Sequence, residues 1–89
     1  GGIEFLQPEN DRVLAYLRRD EGQVILVVAN LSRFAQVTKM NLSAYARWVP
    51  KELFGGNLFP EIKSTPTPFA LGPYGFYWLG LSSAEAQKK

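Results

Sequence analysis

The sequence predicts an all-β domain, an antiparallel sandwich of about seven to eight strands. Three observations predict it. Short apolar runs recur along the chain between clusters of Gly, Pro, Asn and Asp, the punctuation of antiparallel strands. The most apolar run, Val24–Ala29, is mostly β-branched, which suits a pleated sheet. With 89 residues, 46% of them hydrophobic and 13% aromatic, the chain is long enough for one core and far too apolar for a disordered segment.

The elements follow in order. Ile3–Leu6 is a short strand, and Gln7–Asp11 a turn in which Pro8 fixes φ and Asn10 and Asp11 bond their own backbone. Val13–Arg19 is a second strand; Asp20-Glu21-Gly22 is a hairpin loop, with Gly22 free to take a positive φ. Val24–Ala29 is the third strand, and Asn30–Phe34 a reversal in which Asn30 and Ser32 cap backbone groups. From Gln36 to Leu42 the pattern alternates, with Thr38, Met40 and Leu42 on one face and Val37, Lys39 and Asn41 on the other, a half-exposed strand. Ser43–Arg47 reads as one helical turn capped by Ser43.

Trp48–Phe54 is a strand interrupted by Pro50, so it lies at an edge or enters the ladder after the proline. Gly55-Gly56-Asn57 is a turn, Phe59–Ile62 an eighth short strand and Ser64–Pro68 a loop. Phe69–Leu71 and Phe76–Leu81 read as a closing hairpin across the turn Gly72-Pro73-Tyr74-Gly75. The domain is therefore expected over residues 3–81, with 82–89 a flexible tail lacking an apolar anchor.

Two strands are apolar on both faces. Val24, Leu26 and Val28 point opposite to Ile25, Val27 and Ala29; Phe76 and Trp78 point opposite to Tyr77, Leu79 and Leu81. An antiparallel sheet with one wet face would alternate instead. The second face is covered either by loops of this domain or by another domain. Trp78, alternating with apolar strand positions, is expected in the core.

Composition excludes several functions. There is no Cys and no His, so Ser-His and Cys-His nucleophile pairs, disulfides and the usual zinc ligand sets are ruled out. The net charge of +2 comes from scattered basic residues, not the basic stripe that nucleic-acid binding requires. Six consecutive apolar residues, Val24–Ala29, are far fewer than the roughly 20 of a membrane-spanning helix. The pairs Glu9/Asp11 and Asp20/Glu21 lie in predicted turns, where a carboxylate has no burial to make it an acid catalyst. No dense oxygen-ligand loop for calcium is visible, and no cofactor motif, so no catalytic, metal or cofactor residue is assigned. Asn30-Leu31-Ser32 and Asn41-Leu42-Ser43 match the glycosylation sequon. Phe34, Tyr45, Trp48 and Tyr74, in or beside predicted loops, are the candidates for stacking on a sugar or touching another domain.

The segments Glu4-Phe5-Leu6-Gln7-Pro8-Glu9-Asn10, Val13-Leu14-Ala15-Tyr16-Leu17-Arg18 and Val28-Ala29-Asn30-Leu31-Ser32-Arg33-Phe34-Ala35-Gln36 resemble the C-terminal β domain of bacterial trehalose synthases, in the α-amylase superfamily (glycoside hydrolase family 13-like). Glu52-Leu53-Phe54-Gly55, Phe59-Pro60-Glu61-Ile62 and Leu71–Leu79 look like the same domain in the same order, so the resemblance covers about residues 3–81. It implies a Greek-key sandwich of the amylase C-terminal type, packed on a (β/α)₈ barrel that interconverts maltose and trehalose in the cytoplasm. Some family members are fused to a maltokinase domain. The barrel's catalytic Asp and Glu residues have no counterpart here. The implied role is a non-catalytic accessory domain, a piece of a longer polypeptide in keeping with a first residue Gly1 rather than Met. The rival class is a carbohydrate-binding module that grips α-glucan through loop aromatics.

Overall fold

A computed structural model describes residues 2–20 and 22–82. The strands are β1 (Gly2–Phe5), β2 (Val13–Asp20), β3 (Gln23–Asn30), β4 (Gln36–Met40), β5 (Val49–Glu52), β6 (Thr67–Leu71) and β7 (Phe76–Ser82), with a single 3₁₀ turn at Ser43–Tyr45. Five strands form one sheet in the order β1-β2-β3-β7-β5, and β4 pairs with β6 in a second, two-stranded sheet. Every pairing is antiparallel. Gly22, at φ 81°, turns the β2–β3 hairpin, whose last pair is Asp20 with Gln23.

The core lies between the two sheets. Val13, Ala15, Leu17, Leu26, Val28, Leu79 and Leu81 come from the large sheet, and Met40, Phe69 and Leu71 from the small one. Leu42 and Ile62, 1% exposed each, close the sides from the connections. Thr38, Met40 and Leu42 are all buried while Val37, Lys39 and Asn41 are exposed, the alternation expected of a half-exposed strand.

Five sequence expectations need correction. Phe69–Leu71 and Phe76–Leu81 do not form a hairpin. Gly75 N–H does donate to Gly72 C=O at 2.8 Å, so the turn exists. It carries the chain from one sheet to the other, because β7 already has β3 and β5 on its two edges. β6, with Phe69 and Leu71 on one face, instead joins β4 to roof the core. An eighth strand at Phe59–Ile62 is absent. Phe59 N–H donates to Pro50 C=O and Ile62 N–H to Trp48 C=O, so three residues run against two. Pro60, without an N–H, sits inside that mismatch, and only the Lys51–Leu58 bridge is regular. Pro50 C=O faces this irregular segment, and so does its missing donor, as an edge position requires.

Ser43 does not cap the helical turn. The residue before it is Leu42, no side chain caps the turn, and Asn41 Oδ1 accepts Ser43 N–H at 2.9 Å instead. Trp78 is not core: it is 41% exposed, whereas Leu79 and Leu81 are 0% and 6%. Alternation separates two faces without saying which turns inward, and the leucine face of β7 is the one opposite Met40 and Phe69. Ser82, where the sequence reading begins the tail, is the last residue of β7 and pairs with Val49. The rest of that tail, 83–89, lies outside the described residues.

Candidate functional site

The outer face of the five-stranded sheet is the most distinctive surface of the molecule. The register aligns side chains in rows across it. Phe5, Tyr16, Val27 and Trp78 form one row; Leu14, Ala29 and Phe76 flank it on one side, and Ile3, Arg18, Ile25, Gly80 and Lys51 on the other. Ile3, Phe5 and Phe76 are each about 60% exposed or more, and the loop residues Leu53 and Phe54 after β5 extend the patch. Phe5 leans on Tyr16 with ring centroids 5.7 Å apart, and Phe54 on Trp78 at 5.7 Å. Val27 at the centre is 7% exposed, shielded by these larger neighbours. A contiguous apolar patch crossing most of a sheet is unusual on a monomer's surface.

The four sequence-predicted aromatics divide into two pairs at opposite ends of the sandwich. Tyr45 and Trp48 meet edge to face at 5.1 Å, half-buried against the core. Tyr45 Oη accepts a hydrogen bond from Arg19 Nε at 3.1 Å, and Arg19 also bridges to Glu4 at 2.7 Å. These contacts, the Glu4 bond foremost and then the Tyr45 bond, hold the Arg19 guanidinium above its usual pKa. Phe34 and Tyr74 lie at the other end, 61% and 66% exposed. The Arg33 guanidinium lies 5.3 Å from the Phe34 ring centroid. β3 separates the two ends by about 20 Å, the span of six residues at strand rise.

The Phe34/Tyr74 end is fixed by one buried amide. Asn30, 2% exposed, donates through Nδ2 to Phe34 C=O at 2.8 Å and Gly72 C=O at 2.9 Å. Its Oδ1 accepts Ser32 N–H at 2.8 Å, and its own N–H reaches Gly75 C=O at 2.8 Å. Ser32 C=O in turn accepts Tyr74 N–H at 2.9 Å. Both loops thus become one block, and the Asn30 sequon is sealed inside it. Asn41, of the other sequon, is exposed.

Asn10 plays a similar part at the edge of the small sheet. Its N–H donates to Thr38 Oγ1, its Nδ2 to Gln36 Oε1 and Val37 C=O, and Glu9 N–H to Lys39 C=O. The loop therefore covers the free edge of β4. Beside it, a shallow groove of about 910 Å³ runs along Glu9, Asp11, Val37, Lys39 and Pro68. Glu9 and Asp11 are both exposed on its rim. The Asp20 side chain and Glu21 lie outside the described residues. The buried polar side chains among the described residues are Asn30, Ser32 and Thr38, all neutral. Among them no group of three or more Asp or Glu gathers as a metal site, and no helix is long and apolar enough to cross a membrane.

Sequence reasoning found the two-faced strands but missed Ile3, Phe5, Leu53 and Phe54 as parts of one surface. Their signal lies in pairing register, which places β1 beside β2 and the β5 end beside Trp78.

The profile of the maltogenic amylase C-terminal domain matches residues 3–78. The chain is 46% identical to a trehalose synthase of Thermus thermophilus over 86 residues, covering 97% of this chain and 9% of that protein. It is 40% identical over 89 residues to a trehalose synthase of Pimelobacter sp., covering 96% of this chain and 16% of the relative. It is 39% identical over 88 residues to the trehalose synthase/amylase TreS of Mycobacterium tuberculosis, covering 96% of this chain and 15% of the relative. The chain thus spans 9–16% of the length of these relatives. Its fold is similar to the crystal structure of AmyP in complex with maltose, with a TM-score of 0.70 at 11% identity over 88% of this chain and 16% of that one.

Proposed function

We propose, since the chain belongs to the maltogenic amylase C-terminal domain family, that it is the non-catalytic accessory domain of a trehalose synthase-like enzyme and packs on that enzyme's catalytic barrel through the outer face of its five-stranded sheet. The enzyme would interconvert maltose and trehalose. The observation that carries the reading is the apolar band Phe5–Tyr16–Val27–Trp78 with its flanking rows, which needs cover that the described residues do not supply.

Several features support a packing role over gripping a glucan. The loop aromatics form two pairs at opposite ends, so they offer no common stacking platform. The relatives carry most of their length outside this domain. This domain is a smaller share of the Thermus relative than of the others, which leaves room there for a further domain such as a maltokinase.

The test places Lys at Phe5, an exposed position of the band. Phe5→Lys should leave the unfolding midpoint of this chain within about 0.5 kcal/mol of its starting stability. In the full-length polypeptide it should lower thermal stability by several degrees while the folded enzyme keeps its activity. Equal losses in both would make the face part of the domain's own fold and overturn the packing role.

A further inference from the structure

Tyr74 occupies a backbone position that its side chain disfavours. It is the third residue of the turn Gly72–Gly75, closed by Gly75 N–H to Gly72 C=O at 2.8 Å, and its φ is 52°. A turn with Pro second and a positive φ third ordinarily places Gly or Asn there, because a Cβ in the left-handed region crowds the backbone. Here a tyrosine stands in that place, 66% exposed. Its hydroxyl makes no hydrogen bond among the described residues. The ring therefore does little for the domain that holds it, and the strain has no local return.

The strain is nonetheless imposed firmly. Tyr74 N–H is tied to Ser32 C=O, and Asn30 holds Gly72 C=O through its side chain and Gly75 C=O through its N–H. Strained residues persist where the surroundings over-determine them, and they gather at contact sites. A ring on a locked turn also loses little freedom on docking. Its surroundings suit a partner surface. Leu31 and Phe34, on the loop bonded to this turn, are each 61% exposed. Phe76, two residues on, opens the outer-face row with Ala29 and Leu14. Arg33 on that loop and Arg12, whose C=O accepts Leu31 N–H at 2.9 Å, are exposed, and neither forms an ion pair among the described residues.

We infer that Tyr74 is a pre-positioned anchor at the rim of the packing face, inserting into an apolar pocket of the catalytic part of the same polypeptide whose margin carries carboxylates for Arg12 and Arg33. This rests on the packing role proposed above and names the point at which the contact is made. The occupant is assigned to the same polypeptide because the matched region is only 9–16% of the length of its relatives. The outward row Leu14–Ala29–Phe76 also ends two residues from the anchor.

The experiment compares Tyr74→Gly in this chain and in the full-length polypeptide. Removing the strain should raise the unfolding midpoint of this chain by about 2–5 °C. In the full-length protein the same change should lower the temperature at which the domain becomes susceptible to protease. Tyr74→Asn, which tolerates the left-handed conformation and also lacks the ring, should follow Gly in both. A rise in both contexts would show that the ring touches nothing. A fall in both would show that it serves the domain's own fold; either result overturns the anchor. The two proposals separate through Phe5→Lys. If that change weakens the full-length protein and Tyr74→Gly does not, the packing face stands and the anchor falls. If neither change affects it, both fall.

Discussion

The two faces of β3 are nearly equal in sequence and opposite in fate. Leu26 and Val28 point inward and are fully buried beneath Met40, Phe69 and Leu71. Ile25, Val27 and Ala29 point outward and are sheltered only by the larger side chains beside them, with Phe5, Phe76 and Trp78 left open to water. An apolar strand face therefore has two meanings, a core and an interface, and the strand's own composition does not distinguish them. What distinguishes them is the opposing layer. The described residues supply a second sheet over one face, β4 with β6, and nothing of the kind over the other.

The sharpest way to break this comparison is a matched truncation. Leu26→Ala should cost this chain about 2–5 kcal/mol, from lost burial and the cavity left beside Leu17 and Leu79. That is a large share of the stability of a domain this size. A denaturant midpoint unmoved by Leu26→Ala would place the core elsewhere.

The inner face also has a polar end, where Asn30 replaces the apolar residue that the alternation calls for. Asn30→Ala removes three side-chain hydrogen bonds and leaves Phe34 C=O, Gly72 C=O and Ser32 N–H without their partner. The loss should be about 2–4 kcal/mol, measured by chemical unfolding. Asn30→Asp keeps the shape but aims a carboxylate at two carbonyl oxygens, which raises its folded-state pKa. A raised carboxyl pKa means the variant is weakest at neutral pH and regains stability as pH falls. Loss of stability towards acid pH in Asn30→Asp would contradict the hydrogen-bond assignment.

Strand positions were legible because alternation and turn chemistry are local. The β2–β3 hairpin, the half-exposed β4 and the Asn30–Ser32 reversal all lie where residue type and spacing place them. Pairing is not local. Nothing in Phe69–Leu71 tells it to join β4 rather than β7, since the choice depends on β7 being claimed by β3 and β5. The proposed packing surface was half legible for the same reason. The surplus of apolar residues in β3 and β7 announced it, but its members from β1 and from Leu53 and Phe54 enter through register alone. The stretches around Asn10 and Asn30, which carry much of the family resemblance, prove to be straps: one covers the edge of β4, the other joins two loops.

Trp78 is the residue on which the two faces are most easily confused, and the smallest expected effect among these truncations belongs to it. It is the largest side chain of β7, and alternation with apolar neighbours suggests a core tryptophan, whose truncation would cost about 3–5 kcal/mol. The structure puts it on the outer row, 41% exposed, touching Phe54 and lying across from Val27. Trp78→Ala in this chain should therefore cost only about 0.5–1.5 kcal/mol, the worth of a half-covered aromatic pair on a sheet surface. The contrast with Leu26→Ala on the neighbouring strand is the measurement, made under one set of unfolding conditions. If the tryptophan truncation equals or exceeds the leucine one, the outer face is already a core in the isolated domain. If it is the smaller by two-fold or more, the full worth of Trp78 is realised only where another surface covers it, and the same substitution should then cost more in the full-length polypeptide than in this chain.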